Sequence, residues 1–387
     1  MPDAARLATA ARAALFNVEE RAGGSYPVGL GGLWDPGVQV RAEPGAAVRA
    51  PARGTVVAAR LRSSAQGGQS FVLLRHQIDT SEGPVGFFSL ISGLAASGAA
   101  AKAKGSDDPE WLRGLQRAGD RRALTTLGFG DVALLAQPIE AGDVIGIAGG
   151  GGRGGQAGAQ VRLEIFTEAP LPGAFQKVFR YLDAADDGPV CRRTAVLAAL
   201  GVADGSKLGG RAIRSFLRGG AQDQRQALRR YAVRLQHPGG DRLTEAAFVT
   251  APGLGALNAE ERRRVYGAAI AENRFLSDAV TSHAGLPADQ RVYFHHPITF
   301  LAALAGIRSG KPLRWPSAEL PDALVPPGAH AGRAAIEWLS PEPTAAATGP
   351  LFGPIVVPQF RPRKRDEIPL VVLPALDDTG AESGGGH

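Results

Sequence analysis

The chain has 387 residues, of which 44% are hydrophobic, and 43 Lys and Arg against 37 Asp and Glu give a formal net charge of +6. That length and apolar content suffice for two or three domains with sizeable cores, and the modest basic excess favours anionic polymers weakly without specifying one. The single cysteine, Cys191, excludes an intramolecular disulfide framework and a cysteine-based metal site; it reads as a small apolar filler. No apolar run reaches the ~18 residues that a membrane-spanning helix needs.

Residues 1–25 read as an N-terminal helix and lead-in, with Leu7, Ala11, Ala14 and Leu15 on one helical face at 3–17. The apolar stretches here are too short and interrupted for a secretory signal, so the expected location is cytoplasmic. Residues 26–171 read as a β domain, with short β-branched segments bounded by Gly and Pro, such as 54–59 and 71–74. An insertion at 95–136 is expected to carry a helix from Pro109 to Gly119, capped by Asp108. The glycine run at 149–155 lacks the Gly-Lys-Ser/Thr of a phosphate loop and precedes a strand pattern, so it reads as a hairpin.

Residues 172–310 read as mainly helical, with apolar spacing near 3.6 at 193–200, 210–217, 223–235 and 259–275. Residues 201–212 have the outline of an EF-hand turn, but Gly201, Ala203, Gly205 and Ala212 stand where calcium needs oxygen ligands. His295 and His296 are adjacent and would point to opposite faces of a strand, which makes joint chelation awkward. Residues 311–387 read as a Pro-rich extended or flexible tail. Its basic run at 361–365 has no aromatic interleaving, so a nucleic-acid partner is not expected.

Five blocks within 26–171 resemble the lysostaphin/LytM-type peptidoglycan endopeptidases, a family of bacterial zinc hydrolases. They are 34–40 (WDPGVQV), 45–59 (GAAVRAPARGTVVAA), 71–76 (FVLLRH), 87–94 (FFSLISGL), and 139–146 (IEAGDVIG) joined to 161–166 (VRLEIF). Their order and spacing match the family. The resemblance implies an α+β chain: an antiparallel β-sandwich or barrel-like domain of the duplicated hybrid motif type, followed by the mainly helical region. A further segment, 282–287 with 292–301, is similar to one that accompanies such domains in proteins of type VI and related contractile injection systems. That implies a secretion-machine subunit as a partner and such a machine as a route of export.

The positions that carry zinc in the family hold other residues in this chain. Asp35 stands at the first histidine position, Gln39 at the second ligand, Gly93 at the histidine of "Y-x-H-L", and Gln160 and Arg162 at the two histidines of "H-x-H". A catalytic zinc needs about three protein ligands and an open water position; only Asp35 qualifies, and Arg162 places a fixed positive charge at the cation's position. His76 survives outside the ligand set and reads as a hydrogen-bonded strand-end histidine. The expectation is a catalytically inactive binding or scaffold module with no cofactor. Its degenerate groove would be formed by Asp35, Gln39, Gly93, Gln160, Arg162 and His76 and would hold a peptidoglycan fragment or protein partner, with Arg162 and Gln160 donating to a ligand carboxylate. The alternative is a zinc-dependent endopeptidase with a rearranged site. A biotinyl or lipoyl carrier is set aside, because no suitably placed lysine turn is present.

Overall fold

The computed structural model describes residues 24–29, 33–42, 45, 47–62, 70–95, 109–149, 159–202, 216, 222–251, 258–271 and 274–308. The expected helices at 3–17 and 210–217, the EF-hand-like turn, the glycine run and the tail at 311–387 lie wholly or mostly outside the described residues.

The fold is α+β. One nine-stranded sheet is built from β3 (Val38–Ala42), β5 (Gly54–Arg60), β6 (Ser70–Thr80), β7 (Gly83–Leu94), β8 (Ala133–Ile139), β10 (Ala159–Thr167), β11 (Arg180–Asp183), β12 (Tyr231–Gln236) and β13 (Arg291–His295). Two short ribbons accompany it, β1 (Gly24–Ser25) with β2 (Val28–Gly29), and β4 (Ala47–Arg49) with β9 (Val144–Ile147). The order in the sheet is β11-β12-β13-β10-β7-β6-β5-β8, with β3 also on β10. Only the β11–β12 pair is parallel. The end strands β11 and β8 do not pair with each other. The sheet is therefore open, and the barrel-like closure expected from the resemblance is absent among the described residues.

The region beyond residue 171 does more than add helices. It contributes β11, β12 and β13 to the same sheet. The helix expected at 223–235 ends at Arg229, and Tyr231 begins a strand. Tyr231, Ala232, Val233 and Leu235 are buried between two neighbouring strands. A run this short has no period that separates helix from strand, so the ladder decides. The helix expected at 259–275 stops at Ala269.

Alternation along the strands divides the interior into two faces. Val72, Leu74, Phe87, Ile91, Val161, Leu163 and Ile165 belong to one core cluster. Phe71, Leu73, Phe88, Leu90 and Phe166 belong to the other. The first face is covered by α1 (Glu110–Ala118), α2 (Arg121–Gly128), α3 (Ala174–Val178) and a C-terminal helix at Pro297–Arg308. The second is covered by α4 (Thr194–Ala199), α5 (Gln222–Arg229) and the helix Asp278–Ala284. Between them in sequence, α6 (Glu245–Thr250) and α7 (Ala259–Ala269) share a small satellite core. The two later helices are α8 (Asp278–Ala284) and α9 (Pro297–Arg308).

The insertion is part of the core. Helix α1 begins at Glu110, directly after Pro109, and ends at Gly119 with φ 66°. Trp111, Leu112 and Leu115 enter the first core, and the Trp111 indole donates to the Ile145 carbonyl at 2.8 Å. The insertion also ends sooner than expected, because β8 starts at Ala133 and pairs with β5. A register shift in that pairing falls at Val56/Ala58, and nearby the Leu135 carbonyl accepts from His283 Nε2 at 2.7 Å.

Candidate functional site: an ion-pair column at a fork in the sheet

Strand β10 is where the sheet divides. β7 runs along one edge, pairing residues 162–166. The other edge is shared: β3 pairs with 159–163 and β13 with 165–167. Glu164 is the residue at which one neighbour gives way to the other. Arg162 and Glu164, two apart on a strand, point to the second face.

The loop before β3 is fixed over this fork. The Asp35 amide donates to the Pro27 carbonyl at 2.8 Å, and the Trp34 amide to the Pro189 carbonyl at 2.9 Å. Gly37 lies against the column: a Cβ there would be 2.8 Å from Arg162 Cζ, Arg162 Nη2 and Glu164 Cγ. Any larger residue here would have to push the Arg162 guanidinium or the Glu164 side chain aside.

The column has three links. Arg162 Nη2 is 2.5 Å from Asp35 Oδ1. That contact is an ion pair carried by Coulomb attraction. Arg162 Nε donates to Glu164 Oε1 at 2.6 Å. Beyond Glu164, His237 Nε2 stands 3.8 Å from Glu164 Oε2, too far for a hydrogen bond. Burial of Arg162 opposes its charge, but Asp35 and Glu164 outweigh that and raise its pKa above the ordinary arginine value.

His237 lies among Phe166, Phe275 and Phe294, with ring centroids 5.0–5.4 Å away. Burial lowers its pKa to about 4; Glu164 opposes the shift and Arg162 adds to it. Its Nδ1 accepts from the Gly239 amide at 3.0 Å, which puts the proton of the neutral ring on Nε2, facing Glu164. Five atoms of this neighbourhood are buried with no hydrogen-bond partner among the described residues: Trp34 Nε1, Asp35 Oδ1, Gln39 Oε1, Glu164 Oε2 and His237 Nε2.

Of the six positions expected in the groove, three come together. Asp35 meets Arg162, and Gln39 is its Cα partner across the β3–β10 ladder. Gly93 does not join them. The residue opposite Arg162 on β7 is Ser92, while Gly93 adopts φ 80° and its carbonyl accepts from the Gly149 amide at 3.0 Å. Gln160 pairs its backbone with Arg41, and its side chain lies outside what is described.

His76 is on the opposite face and within β6 rather than at its end. Its Nδ1 donates to the Arg53 carbonyl at 2.8 Å, its Nε2 accepts from Ser89 at 2.7 Å, and it stacks on Phe87. Burial lowers its pKa to about 4. His295 and His296 diverge as expected. His295 meets Thr167, Phe179 and Phe300, whereas the His296 ring packs edge-on against Tyr26 and its Nδ1 accepts from Thr299. Cys191 is a buried free thiol, pushed up to about 12 by burial.

Sequence reasoning missed Glu164 and His237. The Arg-x-Glu spacing of 162 and 164 on a strand was a readable sign of a same-face ion pair. His237 had none, since only the β12–β13–β10 order brings it over Glu164.

The residues do not suit zinc. A guanidinium stands between the two carboxylates, and the one nearby imidazole presents an N–H rather than a lone pair. Among the described residues, no three His, Cys, Asp or Glu side chains gather as a metal cluster. No protein-family model, curated protein or solved structure matches this chain.

Proposed function

We propose that this protein is a non-catalytic binding or scaffold module on a lysostaphin/LytM-type frame, serving a bacterial contractile injection or secretion machine. The observation that carries this reading is the place of Arg162. Its guanidinium, paired with Asp35 and Glu164, stands at a position where the resemblance calls for a zinc histidine. Hydrolysis by that family's chemistry needs a metal cation that coordinates water and lowers its pKa, and a guanidinium, which has no coordination position for water, cannot do that. One part of the sequence-based reading changes. Arg162 already serves two carboxylates of its own chain, so the reading no longer uses it as a donor to a ligand carboxylate. A peptidoglycan fragment or a protein subunit of the machine remains the proposed partner.

The test pairs zinc content with turnover. Untagged protein dialysed against zinc is measured by elemental mass spectrometry and incubated with purified peptidoglycan. The reading expects neither stoichiometric zinc nor released muropeptides. Stoichiometric zinc that disappears in Asp35→Ala, together with cleavage, overturns it in favour of a zinc endopeptidase.

A further inference from the structure

We infer that Asp35, Glu164 and His237 frame a binding site for a guanidinium-type cation, and that in this chain the site is filled from within by Arg162. This rests on the geometry of the column alone and does not need the family resemblance.

The first argument is the shape of the contact. One planar cation reaches two separate carboxylates through different nitrogens, Nη2 to Asp35 at 2.5 Å and Nε to Glu164 at 2.6 Å. A planar guanidinium can set two of its nitrogens against two carboxylates at once, which the single nitrogen of an ammonium cannot. The second is the cradle. The backbone at Gly37 lies so close to the guanidinium that a Cβ would sit 2.8 Å from Cζ and Nη2. The third is unused capacity. Glu164, its side chain 9% exposed, keeps Oε2 without a hydrogen-bond partner among the described residues, and so does Gln39 with Oε1. The tethered Arg162 leaves both acceptors unpaired, and an untethered guanidinium, with every nitrogen a donor, would have N–H groups to spare for them.

A divalent metal fits the same residues less well. Zinc, the metal of the compared chemistry, takes about three protein ligands at about 2.0–2.2 Å, and an imidazole serves it only through a free lone pair. The His237 lone pair at Nδ1 is taken by the Gly239 amide. A guanidinium leaves that hydrogen bond in place. Because Arg162 is tethered to the strand that carries Glu164, its effective concentration is high, and an outside guanidinium is kept out while it remains.

Vacating the site tests this. Arg162→Ala should unfold at a lower temperature than the wild type. Low millimolar guanidinium chloride should then raise its Tm saturably, by roughly 2–4 °C at ten times the Kd. Sodium chloride at equal ionic strength should not, and the wild type should gain nothing from either salt. Absence of a guanidinium-specific rise overturns the inference, as does an equal rise in the wild type or a larger one with zinc. Should Arg162→Ala not fold, the double variant Arg162→Ala/Asp35→Asn carries less unpaired charge, and a smaller rise is expected. If neither folds alone, the yield of folded protein after dialysis with and without guanidinium is the readout, and equal yields overturn the inference.

Discussion

His76 and His237 are both buried beside the same sheet, on opposite faces, and both have a pKa lowered to about 4. On the first face, His76 has both ring nitrogens bonded, to Arg53 and Ser89. On the second, His237 has one nitrogen bonded and the other facing a carboxylate at 3.8 Å. Buried polar groups are paired as a rule, and each one that is not requires an explanation. The completed triad of Arg53, His76 and Ser89 is explained by packing and stability alone. The column of Asp35, Arg162, Glu164 and His237 has spare donors and acceptors, lies at the fork where β3 gives way to β13, and is for that reason the candidate site.

Acid should affect both faces and gives the largest expected effect. His76 and His237 at about 4 and His295 at about 3 all lie below the unfolded value of about 6.5. Between those values the unfolded chain binds more protons, so stability falls as pH falls. The histidine contribution is fully present above about pH 6.5 and is lost progressively towards pH 4. Urea unfolding from pH 7.5 to 4 should show a loss of several kcal/mol, and a flat profile would sink the assignment of neutral buried rings. Next is Glu164→Ala, which leaves Arg162 with one carboxylate partner and His237 with none. A cost of about 3–5 kcal/mol is expected for breaking a buried ion pair from one side. A cost below 1 kcal/mol would mean that the column is only a solvated surface contact. The smallest effect is on the first face. Ser89→Ala removes one donor from His76 and should cost about 1–3 kcal/mol, measured by the same unfolding curves. If Ser89→Ala proved costlier than Glu164→Ala, the ranking of the two faces would reverse.

The legible part of the fold was local. Strand segments at 54–59 and 71–74, the helix after Pro109 and the helix at 193–200 announced themselves through β-branched runs, a proline and 3.6-residue spacing, and each is present. The strand at Tyr231–Gln236 lies in a stretch, 223–235, whose apolar spacing also fits a helix; only Val233 to Gln236 alternate buried with partly exposed residues, too short a run to mark the period. The single open sheet joining the β domain to the region beyond residue 171 could not be seen, since no pattern within β12 or β13 names its partner strand.

The same division holds at the site. The sequence by itself determined that zinc histidines are missing from the positions where the resemblance puts them, and that Asp35, Gln39 and Arg162 stand there instead. It also held the Arg-x-Glu pair on β10, because side chains two apart on a strand must share a face. Only the tertiary structure decided that Asp35 closes on Arg162, that Ser92 rather than Gly93 lies opposite it, and that His237 ends the column. The longest of those contacts, Asp35 with Arg162, joins residues 127 apart in sequence. Their geometry is set by strand order and by the fork at Glu164, neither of which any local preference encodes.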